Sequence, residues 1–362
     1  MLTLREAHLR HARHYLHVVW GANALYKQGG DAVKCALDIF DRERANIYLG
    51  QQWTATHAAH DTEAATLCND YPNAGVLFLN IRLPPSERAK WFEAAMLAAR
   101  RLRDQEAEGW HMGNLGRTYL DIGEARMALD CFQQVLTISR AVGDRRSEAM
   151  SLSNMASARC DLNESHIAIK FLEEALPIIR EVGDRGEEGG ILGKLGTAHF
   201  LLGQHNLAID FYQQQLTISQ EIGALRSEAE ARANIGIIYR QHRRPDLALK
   251  EYKAAFSIYE ELNDVHGMAA TLNNIGLAFL DVQEYDLALQ AFDEQLIMCH
   301  EMEDIRGEAK ALFNKALTLD EMGDRTQARP LAEASLDIFE YLGAVESEIV
   351  KATLANWNAK SS

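Results

Sequence analysis

The chain's 362 residues suffice for two or three ordinary domains or for one elongated array, and its 47% apolar content can build a substantial core. The net charge of −15 is unevenly placed: residues 1–104 carry 13 Lys+Arg against 11 Asp+Glu, leaving 24 of the 37 cations and 41 of the 52 acids, a net −17, for the remainder. So acidic a surface repels phosphate backbones and argues against a nucleic-acid partner, and no apolar run approaches the ~20 residues that would make a membrane one.

The opening stretch MLTLREAHLRHARHYL lacks the apolar core of a signal peptide. The five cysteines (Cys35, Cys68, Cys131, Cys160, Cys299) sit at no metal-ligand or redox spacing, which points to a reduced, cytoplasmic setting. Residues 1–62 read as an N-terminal helical segment, two helices around Gly29-Gly30-Asp31. Its row His8, His11, His14, His17 puts neighbours on one helical face but drifts around the helix. With no cysteine near and no H-E-x-x-H, an interface or half-buried role fits it better than a metal site; His57 and His60 add little. Residues 63–104 read as a degenerate first repeat, with Pro72 interrupting its first helix (63–82) and PSERAKWFEAAMLAARRLRD (85–104) as its second. Trp20, Trp53, Trp91 and Trp110 either build a core joining these segments or expose a docking site.

From residue 105 the chain repeats. AVGDRRSE (141–148) returns as EVGDRGEE (181–188), EIGALRSE (221–228), ELNDVHGM (261–268), EMEDIRGE (301–308) and YLGAVESE (341–348), each forty residues after the last. A period of this length signals a solenoid. The interior recurs as well. Gly116, Ala156, Gly196, Gly236, Gly276 and Ala316 share one phase, and an alanine follows each by twelve, from Ala128 to Ala328. Four further on stand Phe132, Leu172, Tyr212, Tyr252 and Phe292, with Ala332 as a degenerate sixth. Apolar residues at three- and four-residue steps give two helices per unit. Gly123, Asn163, Gly203 and Gly323 tolerate the positive φ that ends the first helix, and Gly143 with Asp144 stops one helix and caps the next. One hairpin cannot bury its stripe alone, so neighbours must stack. Residues 345–358 read as a closing helix, with Lys351, Asn356 and Asn358 on its wet face.

The spacing of Gly116, Tyr119, Ala128 and Phe132 resembles the tetratricopeptide repeat in its forty-residue variety. That resemblance implies an all-α, right-handed superhelical solenoid of six repeats over 105–344, closed by 345–362. In residues 1–62, His14-Tyr15, Glu43, Asn46 and Trp53 resemble the helical segment following the ATPase in bacterial NB-ARC-type STAND proteins, where tetratricopeptide arrays act as sensors. No G-x-x-x-x-G-K-[ST] is present; Gly189-Gly190-Ile191-Leu192-Gly193-Lys194-Leu195 lacks the Mg-binding hydroxyl.

Nothing in the sequence supports catalysis. There is no G-x-S-x-G, Cys299 and His300 point in different directions on a helix, and the carboxylates spread over solvated faces. A phosphatase-like relative of the peptide receptors lacks an identifiable Gln/Asp constellation. No catalytic residue, cofactor or metal is therefore expected. The column Asn114, Asn154, Asn234, Asn274 and Asn314, with Lys194 as the exception, offers amides that could grip an extended peptide's backbone. Kinesin light chains and Rap-type peptide receptors, which the array resembles, use groove asparagines in this way. Equally, each Asn could tie its helix to the preceding repeat, the plainer role because buried amides are normally satisfied locally. The resemblance also turns Trp110, Arg117, Met150, Thr197, Glu230, Ile237, Arg240, Asn273, Leu277 and Lys310 toward the groove. Arg146, Arg226 and Arg306 are expected to pair with Glu148, Glu228 and Glu308, or with the turn acids Asp144 and Asp304, at ~0–1 kcal/mol each.

The leading expectation is a non-enzymatic scaffold that captures a protein or peptide segment in its concave groove. It would serve as the sensor of a STAND-like signalling protein, transmitting occupancy through a change of curvature. A free-standing cytosolic peptide-pheromone receptor acting through its N-terminal helices is the alternative.

Overall fold

The computed structural model describes residues 3–28 and 31–359, so Gly29-Gly30 of the expected turn lies outside the described residues. Those residues form helices and short turns, with no strand among them. The chain divides into two compact units, Met1–Asp184 and Arg185–Ser362. The first holds α1 (Leu4–Tyr26), α2 (Asp31–His57), α3 (Thr62–Ala74), α4 (Val76–Arg82), α5 (Pro85–Leu102), α6 (Gln105–Ile122), α7 (Ala125–Val142), α8 (Arg145–Asp161) and α9 (Ser165–Val182). The second holds α10 (Arg185–Leu201), α11 (His205–Ile222), α12 (Leu225–Gln241), α13 (Pro245–Glu261), α14 (Val265–Asp281), α15 (Tyr285–Glu301), α16 (Ile305–Glu321), α17 (Arg325–Tyr341) and α18 (Glu346–Ala359). From α6 to α17 the helices start at twenty-residue steps, so each forty-residue unit is one helical hairpin.

The turns show why the period is so regular. Among the described residues the positive-φ positions, six non-glycine and seven glycine, all lie on one twenty-residue grid running from Arg103 to Gly343. Gly143 takes φ 75 and Asp144 accepts from the Ser147 N–H at 3.0 Å, so AVGDRRSE is a left-handed helix stop followed by an N-cap. Asp264 and Asp304 cap Gly267 and Gly307 in the same way, whereas Ala224 leaves α12 without a side-chain cap. Arg103, Arg243, Gln283 and Glu303 occupy the left-handed well without glycine's freedom.

Inside each hairpin the small and large positions are matched. A Cβ on Gly116 would lie 2.6 Å from Phe132 Cε1, and one on Gly236 would lie 2.6 Å from Tyr252 Cε1. Gly196 and Gly276 stand in the same relation to Tyr212 and Phe292. Where the small residue is alanine, the facing residue shrinks, to Leu172 beside Ala156 and to Ala332 beside Ala316. The glycine column is thus a seat for an aromatic ring. The alanine column from Ala128 to Ala328 is fully buried throughout.

Corrections attach to three expectations. Pro72 lies buried inside α3, and the break falls at Gly75, between α3 and α4. Pro72 has no N–H for the Cys68 carbonyl one turn back, and α3 ends two residues after it. The arginine column pairs one repeat ahead: Arg146 with Asp184 (2.8 Å), Arg226 with Asp264 (2.6 Å) and Arg306 with Glu346 (2.7 Å). Residues two apart on a helix do not face each other, so Glu148 turns inward from Arg146 and is held by Arg140 and Arg145. Asp144 and Asp304 are occupied as caps. The tryptophans do not act as one group: Trp91 is buried against Tyr48 and Tyr71, Trp53 is half-buried, and Trp20 and Trp110 are exposed.

The chain's ends close by specific contacts. In the first unit the buried Tyr71 hydroxyl donates to the Ala12 carbonyl at 2.8 Å, in a gap that a Cβ on Gly50 would fill. His8 and His57 both stack on Trp53, and His11 Nε2 lies 3.2 Å from the Asn46 carbonyl. His8 and His11 therefore join α1 to α2, while His17 Nδ1 bonds the Arg13 carbonyl of its own helix, and the described residues hold no cluster of three or more His, Cys, Asp or Glu able to bind a metal. In the second unit α18 buries Val350 and Trp357 on α16 and α17, and Trp357 Nε1 donates to Asp320 at 2.7 Å. Lys351, Asn356 and Asn358 face outward.

Candidate functional site

The first unit contains an open cavity of about 680 Å³ between α6, α7 and α8. Its origin is local. Gly109 and Gly113 lie one turn apart on α6, and a Cβ on either would meet nothing within 4 Å. The missing side chains leave a hollow floored by Phe132, Val135, Ile138 and Val142 from α7 and by Met150 from α8. Trp110 forms one wall, 38% exposed and braced edge-on by Phe92 and His111. Behind it His111 is fully buried, with Nε2 2.8 Å from Asn69 Oδ1. Burial pushes its pKa down to about 4, so this support is neutral at pH 7.

Five of the predicted groove residues come together on this cavity: Trp110 and Met150 line it, and Asn114, Arg117 and Asn154 stand on its rim with Arg146 beside them. Asn114 Nδ2 donates to the Trp110 carbonyl of its own helix at 2.9 Å, which fixes the amide and leaves Oδ1 as an acceptor. Among the described residues Asn154 has no hydrogen-bond partner, and Arg117 is exposed with no carboxylate in ion-pair range. The combination is an apolar hollow with two amides and an exposed cation at its edge.

The remaining predicted residues belong to the second unit. Asn273, Asn274 and Lys310 line a separate cavity of about 470 Å³ between α14, α15 and α16, alongside His266, Gln295 and Arg306. Asn314 Nδ2 donates to Asn273 Oδ1 at 2.8 Å, so here an amide does tie neighbouring repeats. Asn234 is half-buried on α12 without a hydrogen-bond partner among the described residues, and Lys194 is half-buried on α10. Arg240 Nε donates to Asp281 at 2.8 Å, which engages its charge. Burial raises the Glu230 carboxyl above its ordinary range. The asparagine column is thus not uniform: one pair ties repeats, one amide bonds its own helix, and others remain available.

Sequence reasoning missed Gly109, Gly113 and the α7 floor. The signal was two glycines a turn apart in GWHMG, outside the ring-seating phase. Spacing alone could not settle the outcome, because in α10 the comparable Gly193 is covered by Gln215, 2.6 Å from a built Cβ.

The tetratricopeptide-repeat family models match residues 112–146, 146–214, 187–261 and 267–340. The chain belongs to the tetratricopeptide-repeat family. No curated protein matches it in sequence. Among solved structures, a Rap protein complexed with competence and sporulation factor is 12% identical, with 92% of this chain and 99% of that one covered at a TM-score of 0.61. A signal transduction ATPase with numerous domains and a tetratricopeptide repeat sensor, from Pyrococcus horikoshii, is 16% identical at a TM-score of 0.59. That match covers 97% of this chain but 54% of the ATPase, so the chain spans about half of that protein's length. BtubC from P. vanneervenii is 19% identical over 59% of this chain and 91% of its own, at a TM-score of 0.54. At such identities these likenesses show the fold. The tetratricopeptide hairpins described above are that of a helical repeat scaffold, and no described helix is long and apolar enough to cross a membrane.

Proposed function

We propose that this tetratricopeptide chain binds an extended peptide or protein segment, and that the α6–α8 cavity seats one bulky apolar side chain of it. The observation that carries this reading is the cavity itself: an exposed Trp110 wall and apolar floor, rimmed by Asn114, Asn154 and Arg117. Amides donate to and accept from a backbone without reading side chains, while the hollow supplies the anchor. The scaffold would be the ligand-sensing part of a STAND-like signalling protein. The coverage of nearly the whole chain, N-terminal helices included, by the STAND structure supports that role. A free-standing peptide receptor is the second reading, favoured by the 99% coverage of the Rap protein complexed with competence and sporulation factor.

A random-peptide display selected on the intact protein tests binding. Selected peptides should share one large apolar position, and N-methylation of the backbone beside it should weaken binding to the wild type but not to Asn154→Ala. Selection of peptides with no common apolar residue would count against the cavity. An in-frame Walker A sequence upstream of the gene favours the sensor reading, and a small adjacent secreted-peptide gene favours the receptor.

A further inference from the structure

Outside the groove, two histidines from consecutive repeats of the second unit converge. His205 opens α11 and His242 follows the last residue of α12, thirty-seven residues on. His205 Nδ1 lies 2.7 Å from His242 Nε2, with ring centroids 4.9 Å apart. Both rings border a shallow cavity of about 280 Å³ with Gln204, Asn206 and Leu207. Phe200 stacks on the His205 ring and limits its freedom. The adjacent Arg244 lies 3.4 Å from Asp246, which offsets its charge.

We propose that His205 and His242 form a two-imidazole site for a zinc-class divalent cation. In a tetrahedral shell with Zn–N distances of ~2.0–2.1 Å, two nitrogens stand about 3.3 Å apart, so the rings need separate by only ~0.6 Å to admit the ion. Both facing nitrogens must then present lone pairs, with the protons on His205 Nε2 and His242 Nδ1. Gln204 Oε1 is engaged by His199 Nδ1 at 2.5 Å, so water completes the shell. No third His, Cys, Asp or Glu joins the pair, so the site is open and takes borderline cations in preference to magnesium. The ion would pin the turn within one hairpin to the turn within the next, a role separate from peptide capture.

The test is titration of zinc chloride into the intact protein, read by calorimetry and by the melting temperature. Wild type should bind one ion per chain and melt at a higher temperature as zinc rises, with no response to magnesium. His205→Asn and His242→Asn should each keep wild-type helicity and lose both effects. Cobalt(II) in place of zinc then reports the ligands, and an absorption spectrum free of thiolate charge transfer supports the imidazole pair. Failure of the wild type to bind zinc, or binding that survives in the double variant through thiols such as the exposed Cys35, would overturn the site.

Discussion

Two glycines in one helix should respond with opposite sign to the same substitution. Gly113 and Gly116 both lie within α6, so alanine at either gains about 1 kcal/mol of helix propensity. At Gly113 the new Cβ meets nothing within 4 Å, and that gain is kept. At Gly116 it would sit 2.6, 2.9 and 3.0 Å from three carbons of the Phe132 ring, against the ~3.5–4.0 Å of ordinary contact. The ring is only 1% exposed and cannot swing into solvent. Overpacking of this kind costs ~1–3 kcal/mol, so after the propensity gain Gly116→Ala should be net destabilising by up to about 2 kcal/mol where Gly113→Ala stabilises. The chain already contains the remedy, since Ala156 faces Leu172. Phe132→Leu alone should cost about 1–2 kcal/mol for the lost ring volume. In the double variant the new methyl occupies that volume, and the coupling should recover ~1–2 kcal/mol. Urea unfolding gives the stabilities, and native-state hydrogen exchange of α6 and α7 shows whether the loss is local, since repeat arrays need not unfold in one step. Equal stabilisation by Gly113→Ala and Gly116→Ala, or strict additivity with Phe132→Leu, would refute the ring-seat argument.

Glycine in place of Gln283 (φ 63) or Glu303 (φ 56) should stabilise by ~0.5–1 kcal/mol each, because relief of left-handed strain outweighs the added chain entropy; an unchanged urea midpoint would count against it. Asp264→Ala removes both a cap and the Arg226 pair and should cost about 1–2 kcal/mol, whereas Arg226→Ala keeps the cap but leaves the 7%-exposed Asp264 carboxylate without its cation and should cost about 1 kcal/mol in the same assay. His111 titrates near 4 in the folded protein against 6.5 when unfolded, so between those values the unfolded chain binds the extra proton. Stability should fall as pH drops through that window, and His111→Gln should flatten the fall in melts taken from pH 7 to pH 4.

Across residues 105–344 the helices and turn positions were legible in the sequence because they rest on local chemistry, whereas 63–82 hid the division into α3 and α4. A left-handed stop recurs every forty residues, followed in most units by an acidic cap, with Ala224 and Ala344 as exceptions, and each works within about five residues of chain. What depends on neighbouring elements was harder to see. Arg243, Gln283 and Glu303 adopt positive φ because flanking helices impose the grid on them. The arginines reach the following repeat because inter-repeat geometry, not spacing, chooses their partners. Trp357 was not picked out as the anchor of α18, although Val350, Leu354 and Trp357 trace one stripe. Within the candidate site, Asn114, Arg117 and Asn154 were legible by phase. The cavity they rim was not, because it is made by side chains that Gly109 and Gly113 lack.

Plugging the α6–α8 cavity tests the binding reading most directly. Gly113→Leu fills the hollow from a position with open space around its Cβ, so helicity and unfolding midpoint should be kept or raised. Calorimetric titration with a display-selected peptide should then show binding to the wild type and none to Gly113→Leu. Unchanged affinity in a folded Gly113→Leu protein would contradict the assignment of this cavity as the peptide site.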